Sequence, residues 1–190
     1  MRKGYQLSVI SYQLQRGFTL MEILVVIALL GILVTVGLSS FKSSQQRSRD
    51  TRRKSDLRAI SIALEAYYSD KGKYPNDSLD GKIMGCGADD QSECPWEGEF
   101  SDSNGTIYMV KLPGDPGSGR NYFYDVGPQN KSYQLYARLE NKLDIDLQKD
   151  PDNNPYVYSG TNCGGSLGCN YGVASGNLRL TDQGHTLISE

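Results

Sequence analysis

The chain has 190 residues, 20 basic and 22 acidic side chains and a net charge of −2, which excludes a globally basic nucleic-acid binder. A single histidine, four cysteines without a CxxC pair and no phosphate-binding glycine loop leave no recognisable catalytic or zinc set, so an enzyme is not expected. Apolar residues concentrate near the N-terminus, while 21 Gly and 13 Tyr describe a polar, turn-rich remainder, as in a polar body hung on one hydrophobic anchor.

Residues 1–17 are polar, carry Arg2, Lys3 and Arg16 and hold no acidic residue, which reads as a cytoplasmic leader rather than part of a fold. Residues 18–40 follow as a transmembrane or polymerisation helix. From Phe18 to Leu38 the sequence is apolar except for Thr19, Glu22, Thr35 and the glycines Gly31 and Gly37. That is about 21 residues, enough to cross a ~30 Å hydrocarbon core as a helix. Gly31 and Gly37 suit close helix packing, or mark where the helix melts. Glu22 is the anomaly, because a carboxylate at the centre of a membrane helix costs on the order of 2.5–3.5 kcal/mol and is usually paired or functional. Near the helix end it costs less, and snorkelling to the headgroups is the plain alternative.

Residues 41–75 continue the helix amphipathically. Leu57, Ile60, Leu64 and Tyr67 recur at spacings of three and four with Ala63 beside them, and Gly72 and Pro75 supply the stop. A basic run covers the same segment: Lys42, Arg47, Arg49, Arg52, Arg53, Lys54 and Arg58 against Asp50 and Asp56. The plain reading is a solvated helix face. The functional readings are anionic headgroups, acidic faces of neighbouring subunits, or DNA through Arg52, Arg53 and Lys54. With a cytoplasmic leader this run departs from the positive-inside tendency.

Residues 76–190 form the globular C-terminal part. Residues 76–106 are loop-like. Strand candidates are Ile107–Leu112, Tyr122–Val126, Ser132–Leu139 and Tyr156–Ser159, rich in Tyr and Val and bounded by Gly, Pro and Asn. Leu112-Pro-Gly-Asp115-Pro116 before Tyr122, and Leu147-Gln-Lys-Asp150-Pro151 before Tyr156, each read as a turn feeding an aromatic strand. The tail from Gly160 to Asn177 is glycine-rich and reads as irregular. Four cysteines allow three pairings, and outside the cytosol local closure of Cys86 with Cys94 and of Cys163 with Cys169 is expected. The fold class is α+β: one long N-terminal helix packed on a small antiparallel sheet.

Arg16-Gly17-Phe18-Thr19-Leu20-Met21-Glu22, followed at once by the apolar run, resembles the cleavage motif of type IV prepilins and type II secretion pseudopilins. An ordinary secretory signal is cut after its apolar segment; here the polar stretch ends in Gly17 before it. The resemblance implies cleavage after Gly17 by a prepilin peptidase and N-methylation of Phe18. It also implies that Glu22 sets the register of assembly against the new α-amino group of a neighbouring subunit. The implied partners are copies of the chain itself, an assembly platform and the membrane before assembly. The implied location is a single-pass precursor in the cytoplasmic membrane, then a surface filament or periplasmic pseudopilus. Many type IV pilins carry a proline near the position of Ser39, and this chain does not. Asp150-Pro151-Asp152-Asn153-Asn154-Pro155-Tyr156 resembles the Asp-Pro-x-x-Asn-Pro-Tyr stretch of major pseudopilins, some of which bind calcium in a C-terminal loop. Asp150, Asp152 and Asn153 are then calcium candidates, with an ordinary Asx turn as the alternative. The competing class is a secreted or permanently anchored binding domain, whose first residue would be near Ser39 or at the uncut leader.

Overall fold

In the computed structural model, residues 17–87, 91–182 and 184–189 are described, with backbone alone over 35–40. The expected leader therefore lies, apart from Gly17, outside the described residues. The chain divides into two compact units, one ending at Lys42 and one running from Ser43 to Glu190. A helix, α1, spans Leu20–Lys71.

In the first unit α1 is apolar around its whole circumference, and every large apolar side chain from Phe18 to Val34 is between 44% and 84% exposed. Among the described residues no helix is long and apolar enough to cross a membrane. The apolar stretch described with side chains ends at Val34, about 22 Å from Leu20 at 1.5 Å per residue and short of a ~30 Å core. The span expected over 18–40 is thus not reproduced there, because a crossing needs the sequence beyond Val34 as well.

In the second unit the helix has one buried face. Leu57, Ile60, Ala63, Leu64 and Tyr67 are at most 4% exposed, as their spacing predicts. Gly72 ends the helix in the left-handed region, φ +68°, and donates its N–H to Tyr68.

Among the described residues nine short strands follow: β1 (Met84–Cys86), β2 (Ser92–Glu93), β3 (Phe100–Ser101), β4 (Ile107–Met109), β5 (Phe123–Val126), β6 (Tyr133–Ala137), β7 (Tyr156–Tyr158), β8 (Tyr171–Ala174) and β9 (Leu187–Ser189). Among the described residues the one sheet expected from the sequence is replaced by four small antiparallel ones, pairing β1 with β2, β3 with β4, β5–β6–β8, and β7 with β9. Strands of two to five residues interrupted by turns and disulfide loops cannot extend a common ladder.

The three-stranded sheet sorts its side chains with period two. Tyr124, Tyr133, Leu135 and Ala137 join the helix stripe in one core, while Phe123, Tyr136 and Tyr158 pack with Cys163 and Cys169 in a second core. The central strand β6 is therefore buried on both faces. The tyrosines serve both packing and anchoring. The hydroxyls of Tyr122, Tyr74 and Tyr108 donate to Asp56, Glu65 and Asp70 of α1 at 2.6–3.0 Å, fixing the helix along its length. Sulfurs of Cys86 and Cys94 lie 2.04 Å apart and those of Cys163 and Cys169 2.13 Å apart, so both disulfides close locally.

Candidate processing and polymerisation segment

Gly17, Phe18 and Thr19 have no regular secondary structure, and α1 begins at Leu20. Thr19 caps it: its Oγ1 accepts the Glu22 N–H at 3.2 Å and its carbonyl accepts the same N–H at 3.1 Å. Thr19-Leu20-Met21-Glu22 is the spacing of a capping box, a signal written in the sequence that the reading above missed. The cap has two consequences. It keeps the Gly17–Phe18 bond in exposed, non-helical backbone. It also fixes Glu22 in the first turn of the helix, where a carboxylate meets the positive end of the helix dipole.

A new α-ammonium on Phe18 would sit at the helix end that already carries partial positive charge. Glu22 is the acidic side chain of that first turn and the group able to offset it. Gly31 lies within α1 with nothing within 4 Å of the position a Cβ would take, so its surface is open to close approach by another helix. Gly37 is helical in backbone, and its surroundings lie outside the described residues.

The basic run splits: Lys42, Arg47, Arg52 and Arg58 are exposed, as a solvated face requires, whereas Arg49, Arg53 and Lys54 turn to acidic partners in the fold. Arg53 is fully buried, and its guanidinium forks onto both carboxylate oxygens of Asp115 at 2.7 Å. It also donates to Asp50 at 2.7 Å and to Glu140 at 2.9 Å. Asp50 in turn accepts the backbone N–H groups of Glu140 and Asn141 at 2.9 and 2.8 Å. Arg49 grips Glu140 from outside at 2.8 Å, and Lys54 lies between Asp144 and Asp146 at 2.6 Å each. Hydrogen bonds from Arg49, opposed by burial and helped by Arg53, hold the Glu140 carboxyl down at about 2. These residues are a clamp fastening the loops around Asp115 and Glu140 to α1. Of the three DNA candidates only Arg52 stays at the surface, its side chain 64% exposed, so a basic outer face is not formed by Arg53 and Lys54.

The calcium candidates form a turn. Asp150 Oδ1 accepts the Asn154 N–H at 2.8 Å, the Asp150 carbonyl accepts the Asn153 N–H at 2.9 Å, and Asn153 sits at φ +65°. Among the described residues no group of three or more His, Cys, Asp or Glu side chains is placed to hold a metal ion.

Residues 13–38 match the family described as the prokaryotic N-terminal methylation motif. The chain is 32% identical over 109 residues to type II secretion system core protein G of Klebsiella michiganensis, covering 56% of this chain and 71% of that protein. To the core protein G of Pseudomonas aeruginosa it is 32% identical over 125 residues, 65% of this chain and 82% of the relative. To the type IV major pilin protein PilA of Myxococcus xanthus it is 37% identical, but over only 59 residues, 31% of this chain and 27% of that pilin. No solved structure matches the chain.

Proposed function

The chain belongs to the type IV pilin and type II secretion pseudopilin family, and from that premise we propose that it is a structural subunit of a type IV pilus or related filament, not an enzyme. It is made as a precursor held in the cytoplasmic membrane by residues 18–40, cut after Gly17, methylated on Phe18 and polymerised through its N-terminal helix. The observation that carries the reading is the exposed apolar helix whose first turn holds Glu22 beside the exposed Gly17–Phe18 bond. Such a surface needs lipid before assembly and neighbouring helices after it. Glu22 then pairs with the Phe18 ammonium of an adjacent subunit and sets the axial register.

A second reading, major pseudopilin of a type II secretion system, is favoured by one observation. Similarity to the core protein G chains runs over more than half of this chain, whereas similarity to the Myxococcus pilin spans only 31% of it. Adhesion, motility or DNA uptake would follow from a surface pilus, and substrate export from a periplasmic pseudopilus.

The test is the mass of the N-terminal peptide from purified filaments. N-methylated Phe18 is expected, while a start near Ser39 or an uncut leader would return the chain to a secreted or anchored binding domain. Glu22→Ala should be processed normally yet yield no filaments. Normal filaments from that variant would reduce Glu22 to a helix-end residue.

A further inference from the structure

Three asparagines of the larger unit stand two residues before a hydroxyl side chain, in Asn76-Asp77-Ser78, Asn104-Gly105-Thr106 and Asn130-Lys131-Ser132. With a middle residue other than proline, this spacing is the acceptor pattern for N-glycosylation. So short a pattern often arises by chance, and the fold decides which of the three an enzyme can reach. Two are tied down. The Asn130 amide donates to the Tyr74 carbonyl at 2.9 Å and to Asn76 Oδ1 at 2.6 Å, so these two asparagines bind each other. Ser132 is buried. Asn76 lies in paired backbone: its carbonyl accepts the Met84 N–H at 2.7 Å, and Ser78 Oγ accepts the Lys82 N–H at 3.1 Å. A saccharide on the Asn130 amide would displace its two bonds, and the backbone around Asn76 cannot be lifted away without breaking its own.

Asn104 is placed differently. It stands at the tip of the hairpin that joins β3 to β4, closed by the pairing of Ser101 with Ile107, and residues 103–106 are all exposed. The turn is organised from inside by Asp102. Its Oδ1 accepts the backbone N–H groups of Asn104 at 3.0 Å and Thr106 at 2.8 Å, and its own N–H donates to the Thr106 carbonyl at 3.0 Å. Asp102 is buried and paired with Lys71 at 2.6 Å, which fixes the turn to the end of α1. The backbone of the tip is thus engaged inward, while the Asn104 amide and the Thr106 hydroxyl make no hydrogen bond among the described residues. Gly105 between them, at φ +79°, has nothing within 4 Å of the position a Cβ would take, so a large partner can approach the tip.

We propose that Asn104 is an N-glycosylation site, modified by an oligosaccharyltransferase from a saccharide carried on a lipid pyrophosphate. Asn104 Nδ2 attacks the anomeric carbon of the first sugar. A C–N bond forms there, the C–O bond to the pyrophosphate breaks, its electron pair leaves with the lipid pyrophosphate, and one amide proton passes to a base of the transferase. Nothing is oxidised or reduced. An amide nitrogen is a weak nucleophile because its lone pair is delocalised into the carbonyl, so the transferase has to grip the acceptor closely. The free Thr106 hydroxyl is the second group it holds. The proposal rests on the membrane-held precursor described above, which brings the body to the side where disulfides form and near a donor borne by lipid. An exposed hairpin tip carries a bulky, hydrated chain without disturbing either core.

The experiment uses the full chain purified from the envelope of the cells that make it. Peptides holding Asn76, Asn104 and Asn130 are weighed by mass spectrometry together with the N-terminal peptide. A glycan is expected on Asn104 alone, resistant to mild alkaline elimination. It should be absent from Asn104→Gln and from Thr106→Ala, and retained in Thr106→Ser. Neither Asn104→Gln nor Thr106→Ala removes a side-chain hydrogen bond seen among the described residues, so both should fold, and cooperative melting of each variant checks this. A bare Asn104 on a chain that starts at N-methylated Phe18 overturns the site and leaves the subunit reading standing. A glycan on Asn104 of a chain with an uncut leader keeps the site and overturns that reading. A glycan on Asn76 or Asn130, an alkali-labile glycan on Ser103 or Thr106, or the small mass gain of Asn104-Gly105 deamidation alone overturns the site.

Discussion

Arg53 shows at single-residue scale what its neighbours decide. A buried guanidinium is tolerated because Asp50, Asp115 and Glu140 surround it, and those carboxylates are tolerated because of Arg53. Arg53→Ala should cost about 3–5 kcal/mol in urea unfolding, since it strands three carboxylates around a void. A loss below about 1 kcal/mol, the scale of an exposed pair, would mean that water reaches the cluster. The sequence held a signal for this residue. Asp50 and Arg53 continue the stripe Leu57, Ile60, Leu64 backwards at spacings of three and four, which places them on the buried face. Their charge argued for the surface and the period argued for the core. Period prevailed, because acidic partners more than sixty residues away fold onto them, and such pairing leaves no local trace. Glu22 and Thr19 are the opposite case, legible because both signals are local.

At the scale of elements, α1 was readable almost to the residue, and the centres of β4 to β7 were found from their aromatic runs. β8 was not. It lies in the glycine-rich tail, where glycine suggested an irregular segment. In the folded chain Gly172 is there because a Cβ would come within 2.8 Å of both Leu180 and Tyr136, so its bareness admits a neighbour and does not break a strand. β9 was missed too, and the chain's one histidine stands beside it. His185 lies just before β9, with Nδ1 at 2.8 Å from the Ser159 carbonyl and Nε2 at 3.2 Å from Asp125. Both partners are acceptors, so only the doubly protonated ring satisfies both. Accordingly the hydrogen bond with Asp125, against the opposing effect of burial and with help from Ser159, raises the His185 pKa above its usual value. A raised folded-state value stabilises fully below the unfolded value, about 6.5, and is lost as pH rises through the folded one. Amide exchange of residues 186–189 should therefore accelerate as pH climbs above neutrality, beyond the intrinsic base catalysis measured on a peptide. In His185→Phe that extra acceleration should vanish. An unchanged pH profile in the variant would place the control of β9 elsewhere.

At the scale of the whole chain, the two units answer to different solvents. Among the described residues the buried ones of the larger unit begin at Asp50, and the first apolar residue of its cores is Leu57. Both disulfides and the Arg53 clamp also lie within it. The smaller unit has no buried apolar residue among those described, and its helix offers water a continuous hydrophobic surface. A chain starting at Ser43 should therefore be monomeric and soluble without detergent. It should melt cooperatively, at a temperature that falls on reduction, each short-loop disulfide contributing on the order of 2–3 kcal/mol. The processed chain starting at Phe18 should require detergent, lipid or its own polymer to stay dispersed. Sedimentation of the two chains in one buffer compares them directly. Aggregation of the shorter chain would show that the body depends on the apolar helix for its fold, and the helix would then be more than a polymerisation device. A soluble monomeric longer chain would remove the reason for expecting a filament, because it would leave the surface from Phe18 to Val34 in water at no cost.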